Sequence, residues 1–189
     1  YHNVTPAAYF RHVNPQTATL LERGHAQVRK LAGTADLVLA DSEFNATELQ
    51  RAGYGEVHVL PLVIDFDRFA VAPDRGVERA LDDGMKNVVF VGRCAPNKKI
   101  EDALTAFFHL HSFVDRDTRF IHVGSFSGVE RYYYLLLAQA REMGLNNIHY
   151  AGAVPQPELN AFYRCADVFL SMSEHEGFCI PVIEAMHMN

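Results

Sequence analysis

Two rhythms of apolar and polar positions run along this chain. Short apolar runs bounded by Gly, Pro or Asp read as strands, and apolar residues three and four apart read as amphipathic helices. In the first third, Tyr1–Thr5 reads as a strand end. Asn14 followed by Pro15 is a helix-start signal, with Leu20, Leu21, Gly24, Val28 and Leu31 at helical spacing behind it. A short buried strand is expected over Asp36–Ala40, then a helix capped by Ser42 and stopped at Gly53, then a strand over Val57–Leu60 closed by Pro61. Further on, Val88–Val91, Arg119–Val123, Ile148–Ala151 and Val168–Ser171 read as strands, the last as part of a buried pattern that begins at Asp167. Helices are predicted between them over 99–113, 129–143 and 157–165, with Gly144 as the left-handed stop of the second. Ile100, Ala103, Leu104, Phe107, Phe108 and Phe113 fall on one face of the first, and a last helix begins after Phe178. Strands alternating with helices imply βαβ units and parallel sheets, hence an α/β fold with Rossmann-like sheets flanked by helices.

Residues 65–86 break the rhythm, mixing charges with Pro73, Gly76 and Gly84. Two domains are therefore expected: residues 1–72, which take in the first part of the connection, and 87–189, joined by a linker over 73–86. Apolar residues make up 49% of the chain, enough for a core, yet no run reaches the roughly eighteen apolar residues of a membrane span. The formal charge of −6 argues against a nucleic-acid-binding face, which needs a basic patch. Tyr1 opens the chain with neither a basic nor an apolar leader, so secretion is not expected. Cys94, Cys165 and Cys179 are odd in number and lack CxxC spacing, which reads as free thiols in a reducing cytoplasm.

Candidate chemistry gathers in two strand-to-helix loops. Glu176 and Glu184 stand eight positions apart around Gly177-Phe178, just after the last predicted strand. In an open α/β sheet, ligands bind beyond the carboxyl ends of the strands, where helix N-termini offer N–H groups to anions. A carboxylate beside such a terminus suits hydroxyl groups rather than phosphate, so a ligand made of phosphate plus polyol fits, as in a sugar nucleotide. Arg93 and Lys98, in the loop after Val88–Val91, supply a planar fork and a mobile point charge for a diphosphate. The Gly-Arg…Lys order differs from a Gly-x-Gly-x-x-Gly dinucleotide turn. Three other features carry less. Asp65-Phe66-Asp67, a D-x-D pair, falls in the connection and reads as linker. His109 and His111 point apart on their helix, and Tyr132-Tyr133-Tyr134 is expected to split between core and surface. Lys99 reads as a solvated neighbour of Lys98.

Glu176-Gly177-Phe178 with Glu184 resembles the E-x7-E signature of family 4 (group 1) retaining glycosyltransferases. Val88–Arg93 with Pro96-Asn97-Lys98 is similar to that family's G-R-x-x-P-x-K element, and Gly152-Ala153-Val154 before Glu158-Leu159 to its G-x-V-x-x-x-E-L stretch. The resemblance covers residues 87–189 and implies the two-domain GT-B fold. Residues 1–72 then become the end of the acceptor-side domain and 87–189 the donor-nucleotide domain, and the chain a piece truncated at both ends. By the same resemblance the catalytic set is Arg93, Lys98, Glu176 and His2, the last matching a strand-end histidine that faces the donor sugar. Glu184, Gly92, Gly177, Phe178, Cys179 and Val154 fill the substrate-binding set, with no metal and no cofactor. The implied partners are a nucleoside-diphosphate-sugar donor and a glycan, lipid-linked or small-molecule acceptor, in the cytoplasm or at the inner face of the membrane. Two alternatives stay open: a nucleotide-sugar 2-epimerase of the same fold, and a non-catalytic nucleotide-sugar-binding module.

Overall fold

The structure, a computed structural model, describes residues 1–188; Asn189, the last residue of the expected second domain, lies outside the described residues. The chain divides into two compact units, one of residues 1–64 with 175–179 and one of residues 65–174 with the helix that begins at Ile180.

In the first unit, helix α1 spans Pro15–Lys30, and the Asn14 side chain caps it by accepting the Thr17 N–H at 3.0 Å. Its docked face takes in only part of the set at helical spacing. Ala18 is buried and Val28 packs inward, while Leu20 and Leu31 are 64% and 56% exposed. Gly24 lets Val4 approach, since a Cβ there would lie 3.3 Å from the valine methyl. Strand β1, Leu39–Ala40, pairs in parallel with β2, His58–Val59. Helix α2, Glu43–Arg51, joins them and starts at the Ser42 hydroxyl, which accepts the Asn45 N–H. Tyr1 runs beside β1, its nitrogen donating to Leu39 O and its carbonyl accepting from Asp41 N. In the predicted buried strand Ala40 is fully buried and Val38 packs on the same core, whereas Leu37 is 60% exposed, because the small core of Ala40, Ala46 and Leu49 lies on one face.

The second unit opens where a featureless connection was expected. Asp65 folds back to accept the Asp67 N–H, a 3-10 turn follows over Asp67–Ala70, and helix α3 spans Arg75–Leu81. Asp74 caps α3 by accepting the Gly76 and Val77 N–H groups, and Val77 and Leu81 pack on the core. The chain then runs β3 (Lys86–Val91), α4 (Ile100–Phe113), β4 (Thr118–Val123), α5 (Glu130–Glu142), β5 (Ile148–Gly152), α6 (Gln156–Arg164), β6 (Val168–Phe169) and α7 (Ile180–Met188). All four strands are parallel, in the order β5-β4-β3-β6. Val88, Val89 and Phe90 in central β3 are all buried, which explains their unbroken apolar run. Strand β6 has only two residues and stands at an edge of this sheet, so Val168 is half exposed instead of buried. On α4 the buried face is Ile100, Ala103, Leu104 and Phe107, whereas Phe113, its last residue, is 74% exposed.

Gly92, Gly124 and Gly152 finish three neighbouring strands, β3, β4 and β5, at their carboxyl ends. Gly92 N–H donates to Val123 O and Gly124 N–H to Gly152 O, at 2.9 and 2.8 Å. Gly124, with φ +156°, is the position that tolerates no side chain: a Cβ would fall 1.9 Å from the Gly92 carbonyl oxygen.

Candidate functional site

At the carboxyl edge of the second unit, the loop after β3 is fixed from below. His122 on β4 lies fully buried, stacked on Phe90, with Nε2 2.9 Å from Gly92 O. A carbonyl can only accept, so Nε2 carries the proton. Burial pushes the imidazole down to about 4, which keeps the ring neutral. Cys94 N–H donates to Ser125 O, and its buried thiol is pushed up to about 12, an inert group. Arg93 is exposed, and its Nη2 donates to Ser127 O at 3.2 Å. Next to it, the Gly128 N–H and the Arg93 charge hold the Glu130 carboxyl below the ordinary range. Pro96–Lys98 forms a 3-10 turn in which Lys98 is half-buried. Lys99 departs from expectation. It adopts a left-handed conformation at the start of α4, and its ammonium meets Glu101, Asp102 and Glu174 at 3.3, 3.5 and 3.9 Å. It is a structural clamp, not a solvated neighbour.

Because β6 lies beside β3 and parallel to it, the loop after β6 leaves the sheet at the same edge as Arg93 and Lys98. Leu170 N–H donates to Val89 O, and Glu174 N–H to Asn97 O at 3.0 Å, so the two loops are hydrogen-bonded. Beyond that loop, Glu184 on α7 is 5% exposed. Tyr163 Oη donates to one carboxylate oxygen at 2.6 Å, and the Arg68 guanidinium pairs with the other while lying over Phe69. A carboxylate accepts about four hydrogen bonds, so these partners leave capacity for ligand hydroxyls. They also keep a buried charge compensated. Val154 packs its side chain against the core cluster that includes Val89 and Phe162. The tyrosine triplet divides three ways. Tyr132 is buried against Glu101, Tyr133 stacks on Phe126 with centroids 4.5 Å apart, and Tyr134 is exposed. Among the described residues no group of three or more His, Cys, Asp and Glu side chains is placed to hold a metal ion. Among the described residues Cys94, Cys165 and Cys179 form no disulfide with one another.

The candidates His2 and Glu176–Cys179 belong to the first unit. His2 is exposed, but its Nδ1 lies 3.1 Å from Oδ2 of the buried Asp41. Asp41 also accepts from Asn45 Nδ2 at 2.5 Å. Burial alone would raise this carboxyl, yet the hydrogen bonds from Asn45 and His2 bring it below the usual range. The Glu176–Cys179 segment is pinned by main-chain contacts: Asn3 Nδ2 donates to Glu176 O, and Asn45 Nδ2 to Gly177 O. A Cβ on Gly177 would sit 3.2 Å from His2 O, so a glycine admits that backbone. Cys179 has φ +57°, a left-handed turn just before α7. Sequence reasoning did not find Asp41, Asn45, Arg68, Tyr163 or His122. Each acts through a contact distant in the chain, and no local spacing announces it.

A parallel sheet flanked by helices, with a Gly-Arg…Lys loop and an acid-bearing loop leaving the edge of adjacent strands, is of the GT-B type found in glycosyltransferases. Residues 77–189 match the family described as glycosyl transferases group 1, and the chain belongs to that family. It is 33% identical, over 85% of its length, to a GDP-mannose-dependent alpha-mannosyltransferase of Mycobacterium tuberculosis. Over 52% of its length it is 31% identical to the O-antigen chain mannosyltransferase B of Escherichia coli. The chain spans 39% and 25% of the length of these two relatives. Among solved structures, Anabaena HepE in complex with UDP and glucose superposes with a TM-score of 0.74 at 20% identity, over 98% of this chain and 48% of that one. The sucrose-phosphate synthase of Thermosynechococcus elongatus also gives 0.74, at 21% identity, over 100% of this chain and 47% of that one. No helix among the described residues is long and apolar enough to cross a membrane.

Proposed function

We propose that the protein is a retaining glycosyltransferase that moves a sugar from a nucleoside-diphosphate sugar to an acceptor hydroxyl in glycan or polysaccharide assembly. The observation that carries this reading is the group 1 family match over residues 77–189, which contains both the cationic loop and the acidic one. Arg93 and Lys98 hold the diphosphate, with the Gly92 backbone close to it. Glu176 accepts from hydroxyls of the donor sugar and Glu184 from those of the ribose. The N–H groups of Gly177, Phe178 and Cys179 face phosphate or sugar, the main chain at Val154 meets the base, and His2 faces the sugar.

The reaction follows a front-face course. The bond from the anomeric carbon to the diphosphate oxygen breaks as the acceptor oxygen bonds to the same face, and the departing phosphate takes the acceptor proton. Arg93 and Lys98 stabilise the charge that collects on the leaving oxygens, so chemistry proceeds without a divalent ion. Both curated relatives are named as mannosyltransferases, one of them GDP-mannose-dependent, which supports GDP-mannose as the first donor to test. A cytoplasmic setting, with acceptor contact at the inner face of the membrane, suits a cytosolic nucleotide sugar.

The test is incubation of the full-length protein with GDP-mannose or UDP-glucose, a hydroxyl acceptor and a chelator. Release of nucleoside diphosphate with an α-configured glycoside is expected, at a rate the chelator leaves unchanged. An epimerised sugar nucleotide would identify the 2-epimerase instead, and binding without turnover a nucleotide-sugar-binding module.

A further inference from the structure

The buried Asn45 side chain, 0% exposed, stands between the two ligand-facing pieces of the first unit. Its Nδ2 donates to Asp41 Oδ1 at 2.5 Å and to Gly177 O at 3.3 Å, while its Oδ1 accepts from Asn3 Nδ2 at 3.2 Å. Asn3 reaches on to Glu176 O at 2.7 Å, from a left-handed backbone with φ +71°. Every hydrogen of the Asn45 carboxamide is thereby assigned, and a carboxylate in its place could donate to neither partner. On the far side of Asp41, Oδ2 meets His2 Nδ1. His2 and Asp41 also line a cavity of about 350 Å³ with Tyr1, Leu60, Pro61 and Leu62.

We propose that Asp41 and Asn45 are positioning residues for sugar transfer, Asp41 setting the tautomer and ring plane of His2 and Asn45 tying that carboxylate to the main chain of Glu176 and Gly177. A carboxylate only accepts, so a His2 ring with one proton carries it on Nδ1 and presents a bare Nε2. That leaves Nε2 ready to accept a hydrogen bond from a sugar hydroxyl. The orienting logic is that of a buried carboxylate behind a working histidine. Asn45, one turn into α2 from Asp41, then couples the ring to a loop more than a hundred residues away in sequence. The inference rests on the role given to His2 and Glu176 above.

Asp41→Asn is the sharp variant, because it keeps shape and the bond from Asn45 but offers His2 a donor where it had an acceptor. Nitrogen-15 NMR of the protein should show native His2 with its proton on Nδ1, and the variant with the proton on Nε2. Melting temperature should stay close to native. In the full-length enzyme, kcat should fall roughly ten- to hundredfold with donor KM within about twofold. A native ring protonated on Nε2, or an Asp41→Asn enzyme of undiminished kcat, overturns the proposal. For the loop, Asn45→Ala should speed amide exchange at 176–179 roughly tenfold while β3 and β4 stay protected. Asn3→Ala, which removes a partly buried side chain, repeats that test should Asn45→Ala fail to fold; unchanged loop exchange in it overturns the tether. If His2→Ala transfers sugar at the native rate while the tautomer switch occurs as expected, the contact stands and the role assigned to His2 fails. The two failures are thus separable.

Discussion

His122 shows how much the Arg93 loop depends on one buried ring. It donates to Gly92 O as a neutral imidazole, and burial holds it near 4 against an ordinary value of 6.5. The unfolded chain therefore binds a proton between these values that the folded chain does not. Stability is complete above about pH 6.5 and is lost as pH falls toward 4, by at most about 3 kcal/mol from this group. Thermal melts from pH 7 to 4 should show that decline, and His122→Gln, which can still donate to the carbonyl, should flatten it. Glu184 makes a second residue-scale case. Tyr163→Phe removes one hydrogen bond to a buried carboxylate and should cost about 1.5–3 kcal/mol in denaturant melts. Lys98 carries a proposed role toward the ligand. Lys98→Ala should lower transfer by roughly two orders of magnitude or more; full activity would remove its diphosphate role.

At the scale of elements, the junction of β3 and β4 is the tightest point. Gly124→Ala would drive a methyl into the Gly92 carbonyl, and the strand ends must then part. A loss of several kcal/mol, or no soluble protein, is expected in expression and melting trials. Asp74→Ala is milder: helix α3 loses both acceptor bonds of its cap, worth about 1 kcal/mol. The contrast between β3 and α3 also explains what could be read from sequence. Strands covered on both faces announce themselves as unbroken apolar runs, as Val88–Val91 does. Helix α3 has seven residues and none fully buried; Val77 and Leu81 alone carry its inward face, too sparse a period to see. Helical spacing found α1 but could not sort its members, since Val28 packs inward beside buried Ala18 while Leu20 and Leu31 face outward. The Gly92–Lys98 and Glu176–Glu184 motifs were legible because each is local in sequence. The support beneath them was not: Asp41 meets His2 across 39 positions and Tyr163 meets Glu184 across 21.

On the scale of the whole molecule, the segment 175–179 is counted with the first unit although the strand before it and the helix after it belong to the second. The acidic motif is thus shared out: Glu176 is held by Asn3 through its carbonyl, and Glu184 by Tyr163 and Arg68 through its carboxylate. The central proposal concerns the second unit: Arg93 and Lys98 are proposed to hold the diphosphate of a nucleotide, and the Glu184 carboxylate its hydroxyl groups. Calorimetric titration of the protein with GDP tests it most directly, using native protein, Arg93→Ala with Lys98→Ala, and Glu184→Gln. The account predicts saturable binding to the native protein, at least a tenfold weaker dissociation constant for the double cation variant, and a smaller loss for Glu184→Gln. Equal affinity for GDP in all three proteins would contradict it.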